Sequence, residues 1–162
     1  MGRSTANQRR AREAPFGRPQ PERELNTYVF ADLPVGKHAV VQVVVQPEHI
    51  TDFAEFSGDR SAIHMDDGYA RSRGFEKRLV HGLIVGAHIS AFIGMTLPGK
   101  HGLLQSMDCR FRKPLYAPNV LTIQGKVVRR SEAVRVVTLE IVVTDQDGDE
   151  IVYCEANSVL KL

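Results

Sequence analysis

The chain has 162 residues, of which 43% are hydrophobic and 25% charged, with a formal net charge of +2 and a pI of about 8.6. Such a balance fits one globular domain with a tail and is too mild to argue for a nucleic-acid partner. The two cysteines, Cys109 and Cys154, fall in strand-like segments with no second Cys or His at zinc spacing, so they read as buried, reduced thiols.

Residues 1–24 hold six arginines among Pro, Gln and Ala. They lack the apolar periodicity that would offset the entropy of ordering, and read as a disordered basic tail. No apolar core of a secretory leader is visible in them, so a cytoplasmic location is expected. Residues 25–33 form a short lead-in carrying Tyr28 and Phe30, and the valine-rich run 38–46 reads as a strand. Pro47 suits the first turn of a helix, with Ile50, Phe53 and Ala54 as its apolar stripe and Gly58 as its stop. A short helix is expected over 66–73. The run 81–97 is apolar nearly all round and predicts a central helix enclosed on most sides. At that length, with His81, His88 and Ser90 inside it, the run fits a buried helix rather than a membrane span. Beyond Pro98-Gly99 the period changes to alternation over 103–114, 120–130, 134–145 and 150–162. The last connections look like hairpins. The expected class is α+β, a curved antiparallel sheet wrapped around one long helix.

The chemistry concentrates in Phe56-Ser57-Gly58-Asp59-Arg60-Ser61-Ala62-Ile63-His64. On one continuous helix, Asp59 and His64 would lie on different faces. Gly58 offers a left-handed turn that lets them converge. A converged carboxylate and imidazole can hold and activate one water at neutral pH.

Several segments recur in order: Asp59-Arg60-Ser61-Ala62-Ile63-His64, Asp66, Tyr69-Ala70, Gly74-Phe75, Val80-His81-Gly82-Leu83, Leu97-Pro98-Gly99 and Phe111-Arg112-Lys113-Pro114. Over roughly residues 35–162 this series resembles the MaoC-like, (R)-specific enoyl-CoA hydratase family, which has the hotdog fold. The family signature is close to Gly-Asp-x-Asn-Pro-aliphatic-His; here Ser61 and Ala62 replace the Asn and Pro. The resemblance implies reversible syn addition of water to a trans-2-enoyl thioester, giving an (R)-3-hydroxyacyl thioester. It makes Asp59 and His64 the catalytic pair and Gly82 the backbone donor for the thioester oxygen. Ser61, His81, Arg112 and Lys113 are weaker substrate-binding candidates. His81 also reads as a locally bonded residue of the helix start, and Arg112 and Lys113 as exposed strand cations.

The resemblance implies no resident cofactor or metal. Coenzyme A or phosphopantetheine enters as part of the substrate, on acyl-CoA or on an acyl carrier protein, and a homodimer joined edge to edge is expected, with no nucleic-acid or membrane partner. Three other readings compete. One is a hotdog acyl-CoA thioesterase, and another a non-catalytic acyl-binding protein. The third is an iron site built from His64, Asp66 and His101, which would need a jelly-roll frame.

Overall fold

A computed structural model describes residues 24–160. The basic tail, but for Glu24, lies outside the described residues, as do 161 and 162. After a 3₁₀ turn at Phe30–Asp32, strand β1 (His38–Val45) leads into helix α1 (Pro47–Ser57). Two short helices follow, α2 (Ala62–Met65) and α3 (Asp67–Ser72), and then the long helix α4 (Gly82–Met95). Strands β2 (Gly102–Phe111), β3 (Asn119–Ser131), β4 (Val136–Thr144) and β5 (Glu150–Leu160) complete the chain. One five-stranded sheet forms in the order β1-β3-β4-β5-β2, with every pairing antiparallel. This is the hotdog fold, with α4 as the filling.

Alternation decides which face of the sheet meets α4. Leu121, Ile123 and Val127 of β3, Leu139, Ile141 and Val143 of β4, and Val152, Cys154 and Ala156 of β5 are all buried. On α4 they meet Ile84, Val85, Ile89, Phe92 and Ile93. Phe92 sits so close to the sheet that a side chain at Gly125 would collide with its ring. The lead-in is fastened to this body by cations: the Arg130 guanidinium lies 4.2 Å over the Phe30 ring, and Lys37 lies 4.4 Å over Tyr28.

The short helix expected over 66–73 forms as α3, and the separate turn α2 comes before it, because Asp66 is extended (φ −131°, ψ 113°) and caps α3. Its Oδ1 accepts the N–H groups of Gly68 at 2.7 Å and Tyr69 at 3.0 Å. One expectation changes, in that helix α4 has an open face: Leu83 is 61% exposed, and Ala87, Ser90, Ala91 and Gly94 follow it at helical spacing, all exposed. Among the described residues no helix is long and apolar enough to cross a membrane.

The Gly125–Phe92 contact yields a stability prediction. Gly125→Val overpacks the sheet–helix interface and is expected to lower stability by about 1–3 kcal/mol, read as a lower urea midpoint. Adding Phe92→Leu should recover part of that loss; a full loss in the double variant would mean that the ring is not the obstacle.

Candidate active site

The site starts from the backbone of Gly58, whose φ of 78° places it in the left-handed region and ends α1. The chain then doubles back. The Asp59 N–H donates to Ser57 Oγ at 3.1 Å, and Asp59 Oδ1 accepts the Ser61 N–H at 3.1 Å. This is an Asx turn, in which a side-chain carboxylate closes its own loop. One turn of α2 follows and carries His64 back towards Asp59.

Both imidazoles of the site have their tautomers set by backbone carbonyls, which can only accept. His64 Nδ1 lies 2.9 Å from the Leu79 carbonyl oxygen. It therefore donates, and Nε2 keeps a lone pair. His81 Nε2 lies 3.0 Å from the Asp59 carbonyl oxygen and donates to it. The His81 ring stacks on His64, centroids 3.9 Å apart and planes at 28°. Phe53 lies 4.8 Å away from the same His81 ring, tilted by 49°. His81 is 2% exposed, and its Nδ1 is buried without a hydrogen-bond partner. Burial pushes its pKa below the ordinary histidine value; the bond to Asp59 opposes that shift, and neighbouring His64 adds to it.

Asp59, His64 and His81 bring one polar atom each within 4.8 Å of one another. That distance suits a metal, but the two rings are stacked, whereas ring nitrogens bind a metal in the ring plane. The iron arrangement is not formed: Asp66 uses its carboxylate to cap α3, and the frame is a helix-filled sheet rather than a jelly roll.

The three residues line a cavity of about 530 Å³, within the range of roughly 300–1,000 Å³ usual for small-molecule sites. Its apolar wall includes Phe53, Phe75, Leu79, Leu83, Leu115 and Ile151. Gly82 opens α4 beside His81, and its N–H is one of the first-turn donors without a partner inside the helix. Gly82's missing side chain has a use in the protein itself: a Cβ there would stand 2.9 Å from Cε1 of Phe111. Phe111, half-exposed at the end of β2, thus covers Gly82 closely.

The weaker candidates separate. His81 borders the cavity, but its side chain bonds the Asp59 carbonyl across 22 residues of chain rather than capping the helix start. Arg112 and Lys113 line the cavity, but each already has an anion: Arg112 Nε is 3.3 Å from Glu150 Oε1, and Lys113 Nζ is 2.6 Å from Asp149 Oδ1. Ser61 is exposed and is not part of the cavity wall; it serves Asp59 through its backbone N–H. Sequence reasoning missed the Phe111–Gly82 packing and the His81–Asp59 bond, both of which join residues far apart in the chain.

With this geometry in view, a family profile described as "MaoC like domain" matches residues 32–148. The chain belongs to the MaoC-like family. Among its relatives is a 3-hydroxybutyryl-CoA dehydratase of Methylorubrum extorquens, 31% identical over 129 residues, covering 80% of this chain and 81% of the relative. A mitochondrial 3-hydroxyacyl-[acyl-carrier-protein] dehydratase of Arabidopsis thaliana is 40% identical over 73 residues, covering 45% and 43%. Among solved structures, the (R)-hydratase from Aeromonas caviae involved in PHA biosynthesis superposes with a TM-score of 0.75. It is 27% identical, with 80% of this MaoC-like chain and 98% of that chain covered.

The lowered pKa of His81 sets a pH dependence. In the unfolded chain His81 takes up a proton at about pH 6.5; in the folded chain it does so only at lower pH. The unfolded state therefore binds more protons in that window, and stability, full above it, falls as pH drops through it. His81→Phe keeps the ring and abolishes the titration, so urea midpoints of that variant should fall less between pH 7 and 5 than those of the parent. Equal slopes would show that His81 titrates normally in the fold.

Proposed function

We propose that this MaoC-like chain is a hydro-lyase that adds water reversibly to trans-2-enoyl thioesters to give (R)-3-hydroxyacyl thioesters. The observation that carries the reading is the convergence of the Asp59 carboxylate and the His64 imidazole on one cavity, beside the start of α4. With Nδ1 tied to Leu79, His64 offers a lone pair at Nε2, and Asp59 offers carboxylate oxygens. A water between them has both hydrogens engaged and its oxygen lone pairs directed at C3 of the substrate. The pair accepts one proton from that water as the C3–O bond forms, and returns one to C2 on the same face, giving syn addition. The two groups act as a unit. Charge builds on the thioester oxygen as C2 becomes enolate-like, and the Gly82 N–H at the positive end of α4 is the donor proposed for it.

The thioester is carried by coenzyme A or by the phosphopantetheine of a carrier protein, and no further cofactor takes part. Arg112 and Lys113 stand at the cavity wall where phosphates of that arm would pass. They would exchange Glu150 and Asp149 for the incoming anion. Exposed ion pairs of this kind are weak, so the exchange is inexpensive. For the assembly we propose a homodimer. The open stripe on α4 (Leu83, Ala87, Ala91, Gly94) and the edge strand β2, with Leu103 and Phe111 about half-exposed, leave apolar surface and unpaired backbone for a second copy.

Two measurements test these readings. Asp59→Asn and His64→Ala should each lower crotonyl-CoA hydration by about 10²–10⁴-fold, followed as loss of conjugated-thioester absorbance, with unchanged circular dichroism. Parent-level turnover in either variant rejects the pair, and thiol release without loss of that absorbance assigns the site to thioester hydrolysis instead. Sedimentation should give twice the 18.0 kDa chain mass; a monomer at micromolar concentration would remove the dimer.

A further inference from the structure

Outside the site, the two cysteines hold an arrangement that the sequence conceals. Cys109 on β2 and Cys154 on β5 are 45 residues apart in the chain, yet they are direct register partners across the antiparallel ladder. Opposed residues of such a ladder have Cα atoms about 4.5–5.5 Å apart, inside the window of about 4.4–6.8 Å that a disulfide spans. Both side chains are on the face that meets α4, and their sulfurs are 2.7 Å apart, with Cys109 donating to Cys154. Both are free thiols. The two differ in access: Cys154 is fully buried, whereas Cys109 is only partly buried, on a strand at the edge of the sheet.

We propose that Cys109 and Cys154 form an oxidation site, a dithiol that closes into an intrachain cross-strand disulfide when it meets a hydroperoxide. The partly exposed thiol reacts first. Cys109 sulfur attacks the peroxide oxygen, the O–O bond breaks, an alcohol or water leaves, and a sulfenic acid remains. Cys154 sulfur then attacks Cys109 sulfur, the S–O bond breaks, and the Cys154 proton departs with the hydroxyl as water. Each closure consumes one peroxide and two thiol hydrogens. Burial raises the pKa of Cys154, and its contact with Cys109 adds to that shift. The buried member is therefore the poorer first nucleophile, and it acts as the resolving partner by giving up its proton to the departing Cys109 hydroxyl as the S–S bond forms. The bridge would tie the edge strand to β5 two residues before Phe111, whose ring covers Gly82.

The test uses the full chain, purified with reductant and then freed of it. Thiols are counted in denaturant before and after hydrogen peroxide. The chain contains two cysteines, and the count should fall from two to zero, with a mass loss of two hydrogens, unchanged mobility as a single chain, and full recovery on adding dithiothreitol. Oxidation should also raise the thermal midpoint, since a bridge constrains the unfolded chain, and that rise should vanish in Cys109→Ser. Either serine variant should retain one thiol that goes to no intrachain bridge. Persistence of both thiols, a sulfinic acid on Cys109 beside a free Cys154, or bridging only between chains would overturn the proposal.

Discussion

The bond from His81 to the Asp59 carbonyl is the constraint on which the site rests. It runs between a loop and the residue that opens the long helix, and it is part-buried, joining the exposed Asp59 to the buried His81. Because the donor is an imidazole held largely uncharged by burial, the bond brings no buried positive charge next to the acid–imidazole pair. The same ring supports His64 from one side while Leu79 fixes it from the other. Asp59 and His64 therefore owe their positions to main-chain groups more than to each other, with Asp59 Oδ1 and His64 Nδ1 spent on those bonds and His64 Nε2 left outside them.

That loop in turn depends on the sheet. Helix α4 can present its first turn to the cavity only because its later turns are pressed against β3, β4 and β5. Gly125 removes the one side chain that would lift Phe92 off the strands. The packing thus acts at a distance: a contact near the middle of the helix fixes the depth at which Gly82 and His81 begin it. Phe111 acts from the opposite direction, holding the end of an edge strand against the same first turn.

Much of this was legible in the sequence. Each of the long strands shows as alternation, α4 as an unbroken apolar run, and the αL turn as Gly58 standing between a helix and an Asp. Asp59 and His64 were readable because only five positions separate them and the glycine explains how they meet. The turn α2 was not, since Ala62–Met65 is too short a run to show a helical period. The open face of α4 escaped for a related reason: Ala87, Ala91 and Gly94 are apolar or small by composition, and period alone does not say whether such residues are covered. The pairing of Cys109 with Cys154 depends on strand order, and the step from β1 to β3 and from β5 to β2 is a matter of which strands lie side by side, which local pattern does not encode.

The turn between β4 and β5 has a consequence for selectivity. Asp149 and Glu150 give the two cations at the cavity wall their own counter-ions, so the resting protein does not offer bare positive charge to every passing phosphate. A stray inorganic anion must displace a tethered carboxylate and brings nothing else with it. A ligand that also fills the apolar interior gains contact along its whole length while making the same exchange. Under the proposed function, the mouth would reward length as well as charge, through two acidic residues paired with Arg112 and Lys113.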